Sequence, residues 1–427
     1  MKLKLWDRIK GLFQGDFVKN VLILVSGSTV AQFLPVLLSP LLGRLYSPDD
    51  YGIYTLFVST VNILGQLVGF KYDFAIVVSD TDEKANGLFF LSMTLTVGIS
   101  AAMILAFPFA KPISQLLGGG DNIGWIFCLP MAALMTGMYN SLNYYNVRLK
   151  EYKAITNANI IKTVVQSGIQ LGLAFLHWGA MGLILGQMIS FAAGNTRMIH
   201  NLKGRVHRKD FNRKALVDVA KEYSNYPKFT MPGSLANTMT YNVISYFLSA
   251  LYSTAQLGYY SMVNRVLGTP LSMVGGAVGQ VFVKQAADEK NTSGNLSHTF
   301  SKVSGLLLLL SVPMFAVLFI FAEPIIRIFL GEQWLPAADY IRILTPMFLV
   351  RFIVSPISNS ALVMGKQLMT MIWQFGLLLF ALVPTGVAAL CDLTVKNYLL
   401  ILSISLAIAY FIFYVYCHYI VKQYQNH

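Results

Sequence analysis

The stretch LLGRLYSPDDYGIYTLF, from Leu41 to Phe57, returns 206 residues later as FLSALYSTAQLGYYSMV, from Phe247 to Val263. Six of the seventeen positions are identical, among them a Leu-Tyr-Ser triplet and the glycine five residues after its serine. The same offset aligns the Asp-Glu-Lys triplet at residues 82–84 with that at residues 288–290, so the register persists through the next apolar segment. The chain is therefore predicted to contain two copies of one structural unit.

The chain around this repeat is strongly apolar. It has 427 residues, of which 55% are hydrophobic and 12% are charged, whereas a soluble domain carries about 25% charged residues. Runs long enough to cross a bilayer, about 20 residues each, recur along the whole length. Twelve runs are predicted, near residues 17–43, 51–70, 85–110, 123–147, 155–176, 179–199, 227–250, 256–283, 299–322, 338–364, 367–390 and 397–420. We expect an all-α polytopic membrane protein with about twelve transmembrane helices.

Six spans separate the two copies, so both copies have the same orientation in the membrane. Parallel repeats of this kind are typical of transporters whose halves surround a central substrate cavity. The predicted domains are an N-terminal six-helix bundle at residues 1–199, a cytoplasmic connector at 200–226 and a C-terminal six-helix bundle at 227–427.

The distribution of the cations predicts the topology. If both termini are cytoplasmic, 24 of the 32 Lys and Arg residues lie in inner segments, 5 in outer segments and 3 within spans. This partition obeys the positive-inside rule. The connector carries the largest basic cluster and is expected to rest on anionic lipid headgroups. The amphipathic stretch MKLKLWDRIKGLF at the N-terminus is interpreted as a retained surface helix on the same side.

No enzyme, metal or cofactor signature emerges from the reactive residues. Cys128, Cys391 and Cys417 lie in or beside apolar runs without CxxC spacing, and the six histidines form no HExxH motif. The net charge of +13 is distributed between spans rather than along one basic face, so nucleic-acid binding is not indicated. The protein is predicted not to be an enzyme and to need no cofactor.

Three cations inside apolar spans are the main candidates for ligand binding: Lys162, Arg265 and Arg351. A charge in hydrocarbon costs at least about 2.5 kcal/mol, so each is expected to face water, backbone carbonyls or an anionic ligand. Guanidinium groups donate paired hydrogen bonds to phosphate oxygens, which favours a pyrophosphate. Snorkelling to the membrane surface or structural hydrogen bonding is the alternative for each residue.

Helical spacing extends these cations into polar stripes. Gln166 and Gln170 follow Lys162 at four-residue intervals, and Ser355 and Asn359 follow Arg351 in the same way. Two further polar pairs lie about one turn apart, namely Asn140 with Asn143 and Asn237 with Tyr241. Such amides either line a cavity or join helices to each other.

Three stretches resemble the Wzx-like oligosaccharide flippases of the multidrug/oligosaccharidyl-lipid/polysaccharide exporter superfamily. They are LSPLLGRLYSPDDYGIYTLF with KYDFAIVVSDTDEKA, LGYYSMVNRVLGTPLSMVGGAVGQVF, and FLGEQWLPAADYIRILTPMFLVRFIVSPISNSALVMGKQ. Arg265 lies in a stretch that resembles the family pattern YYSxxxRxxxxP, and Arg351 in one that resembles RFxxSP. Lys162 matches no pattern of the family, so its assignment to the site rests on the stripe alone.

This resemblance implies a flippase for undecaprenyl-pyrophosphate-linked oligosaccharides in the bacterial inner membrane, acting in O-antigen or capsule biosynthesis. Other polysaccharide assembly proteins are further candidate partners. Three alternatives stay open: a cation-coupled multidrug exporter of the same superfamily, a membrane polysaccharide polymerase or transferase, and a non-transporting scaffold in a polysaccharide assembly complex. The exporter predicts a carboxylate in an early span, and the enzyme predicts a large external loop or paired acids.

Overall fold

The structure is a computed structural model that describes residues 34–202, 206, 212–293 and 296–423. Four sequence predictions fall wholly or partly outside the described residues. They are the N-terminal surface helix, the first part of the run at 17–43, most of the basic cluster between residues 203 and 211, and the cytoplasmic C-terminal end at 424–427. The described residues form helices joined by short turns and include no strand. The prediction of an all-α protein is confirmed.

The first part of the chain contains nine described helices. These are α1 (Leu34–Leu45), α2 (Pro48–Leu67), α3 (Tyr72–Val78), α4 (Asp82–Ala102), α5 (Ala110–Leu116), α6 (Gly124–Arg148), α7 (Tyr152–Phe175), α8 (Ala180–Leu202) and α9 (Arg213–Glu222). A 3-10 turn, Met103–Phe109, joins α4 to α5, and a π-helical turn, Tyr226–Thr230, leads into the second part.

The second part of the chain also contains nine described helices. These are α10 (Met231–Leu251), α11 (Thr254–Pro270), α12 (Gly276–Ser293), α13 (Ser297–Ile320), α14 (Ala322–Phe329), α15 (Pro336–Ile357), α16 (Ser360–Val363), α17 (Gln367–Leu390) and α18 (Val395–Gln423). Pro270 ends α11, and a π-helical turn, Leu271–Gly275, carries the chain into α12. The predicted run at 256–283 is therefore two helices rather than one.

Five helices of the described chain are long and apolar enough to cross a membrane. They are α4 with its continuation to Leu116, α13, α15, α17 and α18; a sixth span results if α2 and α3, bent by 57°, count as one. Helices such as α7 and α10 cover other predicted runs, but their polar stripes make them less apolar. The predicted count of twelve spans is confirmed only in part.

The repeat has the same local structure in both copies. Helices α1 and α10 end at Leu45 and Leu251, and in each case a tyrosine turn and an extended serine follow before the next helix. Ser47 Oγ accepts a hydrogen bond from the Asp50 amide at 3.2 Å, and Ser253 Oγ accepts one from the Gln256 amide at 3.3 Å. Both serines thus cap the following helix by satisfying a donor of its first turn.

The chain divides into two compact units. Unit 1 contains Thr60–Ala110, Gly124–Pro232 and the described residues before Ser39; unit 2 contains Ser39–Ser59, Lys111–Ile123 and the chain from Gly233 onward. The predicted domains at 1–199, 200–226 and 227–427 stay a prediction, as does the central cavity.

The core of unit 1 includes the connector helix α9. Its buried members come from α3, α4, α6, α7, α8 and α9: Tyr72, Ala75, Ile76, Ala85, Leu88, Phe89, Leu142, Tyr145, Ala158, Met198, Leu202 and Val219. Val219 lies against Gly87, where an added Cβ would be 3.2 Å from its side chain. Tyr72 donates a hydrogen bond to the Ala220 carbonyl at 3.0 Å. Helix α9 therefore packs against the N-terminal parts of α3 and α4.

The core of unit 2 is built around α15, which packs against α11, α12, α13 and α18. The largest buried side chains of unit 2 are Trp334, Tyr46, Tyr398, Phe57, Phe282, Phe300, Phe315, Phe348 and Phe352. Because the middle of α15 is surrounded by other helices, a charged residue there must find partners inside the protein.

Candidate functional site

Arg351 projects from α15 into an aromatic cluster of unit 2. Its Cζ atom lies 4.6 Å from the ring centroid of Tyr241 on α10 and 5.8 Å from that of Phe348. Tyr410 on α18 and Tyr260 on α11 also interact with the guanidinium. The Tyr241 and Tyr410 hydroxyls are 3.1 Å apart. Aromatic faces partly compensate a buried cation, but within the described residues no carboxylate pairs with Arg351.

Arg265 occupies a second aromatic environment in the same unit. Its Nη1 donates to Ser39 Oγ at 3.4 Å, and its Cζ lies 5.8 Å from the ring centroid of Tyr51. Tyr51 is buried and packs edge-on against Trp334, with ring centroids 5.4 Å apart. Among the partners that the structure describes for Arg265 there is again no acid.

Of the three predicted cations, Lys162 is the one that lies in unit 1. Its Nζ lies 4.5 Å from the ring centroid of Tyr139 and 4.6 Å from that of Phe191, so two rings flank the ammonium. The Tyr139 hydroxyl donates to Asn159, which fixes the ring from the neighbouring helix. No carboxylate of the described chain reaches this ammonium.

Three of the predicted amides donate hydrogen bonds to backbone carbonyls. Gln170 is buried and donates to the Leu183 carbonyl at 3.0 Å, while Asn140 donates to the Gly65 carbonyl at 3.2 Å. Asn359 donates to the carbonyl of Pro356 in its own turn at 3.1 Å. Asn143 is partly exposed and makes no side-chain hydrogen bond to the described residues. Gln166 is also partly exposed, one turn from Lys162 on the same helix.

The predicted site residues therefore belong to two sets. Unit 1 holds Lys162, Gln166, Gln170, Asn140 and Asn143, whereas unit 2 holds Arg351, Arg265 and Asn359. Gln170, Asn140 and Asn359 already use their donors on backbone carbonyls. The three cations and Asn143 have more capacity left for a ligand.

The buried charges of Lys71 and Asp73 were not predicted. Sequence analysis ended the second span at residue 70, but the chain turns through left-handed conformations at Phe70 and Lys71 and continues as α3. Lys71 is 8% exposed and Asp73 is 3% exposed. Asp73 Oδ1 accepts a hydrogen bond from the Phe74 amide at 2.9 Å, and the two charges interact electrostatically. The sequence KYDF shows two opposite charges close together in the chain. It does not show that they are buried, because their burial depends on the turn.

Comparison with known families decides the membership of the chain. Residues 41–339 match the family described as "Polysaccharide biosynthesis protein". The chain belongs to this family. The match includes both copies of the repeat. It also includes α7, which holds Lys162, and α11, which holds Arg265.

One curated relative is the succinoglycan biosynthesis transport protein ExoT of Rhizobium meliloti (strain 1021). It is 24% identical over 307 residues, which are 69% of this chain and 58% of that protein. The alignment therefore spans less than two thirds of the relative's length.

Solved structures of transporters share the fold of this family member. The lipid II flippase MurJ in an inward closed conformation superposes with a TM-score of 0.75 at 16% identity, covering 94% of this chain and 87% of that one. An inward-facing multidrug resistance MATE family transporter of the MOP superfamily gives 0.70 at 14% identity, covering 92% and 96%. At these identities the likeness establishes the fold. Together with the apolar helices, it makes the chain a multi-pass membrane protein.

Proposed function

We propose that the protein is a flippase that moves undecaprenyl-pyrophosphate-linked oligosaccharides from the cytoplasmic to the outer face of the bacterial inner membrane. The observation that carries this proposal is the pair of arginines in unit 2. Arg265 and Arg351 lie on helices of a membrane protein, contact aromatic rings and lack carboxylate partners among the described residues. A diphosphate group supplies the missing negative charge and suits the guanidinium geometry.

Membership of a polysaccharide biosynthesis family supports a sugar-bearing substrate, and the transporter fold supports movement rather than chemistry. The ExoT relative is itself called a transport protein. These features favour a flippase over the polymerase or transferase alternative.

The proposed orientation places both termini and the connector in the cytoplasm, which follows from the charge partition. Under this orientation the turns at Tyr46 and Tyr252 lie at the outer surface. A cysteine introduced at exposed Lys214 should resist an impermeant reagent in intact cells and react after permeabilisation. Labelling in intact cells would contradict the topology.

The multidrug exporter is the second candidate, and Asp73 is the observation that favours it. Its buried carboxylate lies in an early membrane segment, where a cation-coupled exporter requires an acid. Lys71 lies two residues away and interacts electrostatically with Asp73, whereas no carboxylate of the described chain pairs with Arg265 or Arg351. An anionic substrate is therefore better supported.

Reconstituted vesicles separate these functions. We expect the protein to translocate a fluorescent undecaprenyl-pyrophosphate-linked sugar and not to transport a cationic dye. Dye transport without lipid translocation would establish the exporter. A change in sugar-chain length during the assay would establish the enzyme.

A further inference from the structure

Tyr241 is the only residue through which the polar face of α10 enters the arginine site as described above. Asn237 and Tyr241 lie about one turn apart on it, and Ser234 and Thr238 extend the same face, with the Thr238 hydroxyl donating to the Ser234 carbonyl at 2.9 Å. Asn237 is partly exposed and its side chain makes no hydrogen bond to the described residues. A helix face with this composition is poorly suited to lipid, because hydrocarbon cannot satisfy amide and hydroxyl groups.

Tyr241 is held rigidly at the centre of this face. Its hydroxyl is 3.1 Å from that of Tyr410, and the Tyr410 ring packs edge-on against Trp373 with centroids 5.6 Å apart. Trp373 in turn stacks on Phe413 at 4.4 Å. One region of the Tyr241 ring is covered by the Arg351 guanidinium, yet 40% of the residue stays exposed. The structure therefore presents a partly exposed aromatic residue directly beside a cation.

We propose that Tyr241 and Asn237 bind the first sugar ring of the lipid-linked substrate, the one attached to the pyrophosphate; this rests on the proposed flippase function. A pyranose has a face of C–H groups, whose partial positive charge is attracted to the negative face of an aromatic ring. Its hydroxyls lie at the rim, where an amide both donates and accepts hydrogen bonds. Arg351, 4.6 Å from the Tyr241 ring centroid, is placed to contact the adjoining phosphate.

Equilibrium binding to the purified full-length protein in detergent tests this site. The probes are three short-chain prenyl pyrophosphates: one without sugar, one with a single glucose and one with a single galactose. Wild-type protein should bind both glycosylated lipids more tightly than the bare lipid. Tyr241→Leu, which retains apolar bulk but removes the flat ring, should weaken binding of the glycosylated lipids roughly three- to tenfold, the range of an aromatic contact. Binding of the bare lipid should fall by a smaller factor, because the same ring also lies against the Arg351 guanidinium.

Matched variants separate stacking from other effects. Tyr241→Phe retains the ring and should keep most of the sugar-dependent affinity. Phe247→Leu removes a comparably exposed aromatic residue, 36% exposed, from the same helix about 120° away and should change nothing. Asn237→Ala should weaken glycosylated binding alone. Each variant must elute as a single species, so that unfolding does not imitate lost binding.

Two failures have different meanings. If Tyr241→Leu leaves all three affinities unchanged, or lowers them equally, the sugar site is wrong while the flippase proposal stands. Equal binding of glycosylated and bare lipids by the wild-type protein would also overturn the sugar site alone. If wild-type protein binds none of the pyrophosphates, or Arg351→Ala leaves binding of the bare lipid intact, the proposed function itself is wrong.

Discussion

Gly52 packs against the backbone carbonyl of Thr254, and the equivalent residue of the second repeat, Gly258, packs in the same way against Pro48. A Cβ atom at Gly52 would lie 1.9 Å from the Thr254 oxygen, and one at Gly258 would lie 1.9 Å from the Pro48 oxygen. Thr254 and Pro48 are themselves related by the offset of 206 residues. The first turns of α2 and α11 therefore cross through reciprocal glycine contacts within unit 2.

A second reciprocal contact accompanies this crossing. The Trp334 indole donates to the Gly43 carbonyl at 2.6 Å, and Ser249 Oγ donates to the Gly118 carbonyl at 2.7 Å. Gly43 and Ser249 are again equivalent in the repeat. Trp334, from the second half of the chain, thus binds near the end of α1. Gly118, from the first half, binds near the end of α10.

Gly52→Ala should destabilise this crossing. A methyl group cannot remain 1.9 Å from a carbonyl oxygen, so the two turns must separate, at a cost of about 1–3 kcal/mol. Gly258→Ala should have the same effect, and the double variant should cost less than the sum because both methyl groups open one crossing. Thermal unfolding in detergent and lipid translocation in vesicles measure the two effects.

Gly98→Ala is the matched control for these variants, because a Cβ there meets nothing within 4 Å. It should leave translocation unchanged. Additive destabilisation by the two crossing variants would show that the glycine contacts are independent.

Val219→Asp should release the connector helix α9. Val219 is 6% exposed against Gly87, so an aspartate there buries an unpaired charge and costs several kcal/mol. Faster trypsin cleavage within the connector measures the release. Val217→Asp changes a neighbour that is 44% exposed and should leave cleavage near the wild-type rate. Equal cleavage of both variants would contradict the docking of α9.

Lys71 and Asp73 should show strong coupling. Asp73→Asn leaves Lys71 charged at 8% exposure, and Lys71→Met leaves Asp73 charged at 3% exposure. Each single change should destabilise the protein, and because the two charges interact the double variant should cost less than the sum. Membrane abundance and thermal unfolding measure the cycle, with Asp80→Asn as an exposed control. Costs that simply add would mean that the two charges are held independently.

The repeat shows how far the sequence alone could lead. The repeat predicted two copies of one structural unit, and the structure has a helix end and a serine cap around both Tyr46 and Tyr252. Local sequence determines such features, because a cap needs only its own serine and the amide three residues on. Apolar runs likewise predicted the helices.

Contacts between distant segments could not be predicted in this way. Nothing in the stripe of Lys162 indicates that Tyr139 and Phe191 will flank it, because those rings come from other helices. The burial of Asp73 depended on a left-handed turn at a lysine, which is uncommon outside glycine and asparagine. Pairing across helices depends on packing that one sequence does not reveal.

Arg351→Ala should nearly abolish surface polysaccharide in a flippase-null strain, and Arg351→Lys should reduce it only in part. Lysine keeps the charge but loses the planar fork that binds two phosphate oxygens together, so the two variants separate charge from geometry. Arg265→Ala should follow the same order with its own lysine variant. If Arg351 only anchors Tyr241 and Tyr410, Arg351→Lys should lower protein abundance and polysaccharide together. Membrane abundance must therefore be measured beside polysaccharide, and exposed Arg342→Ala gives a baseline for losing a surface cation on α15. Normal polysaccharide from abundant Arg351→Ala and Arg265→Ala proteins would end the anion hypothesis, because two arginines without acidic partners would then have no ligand to explain them.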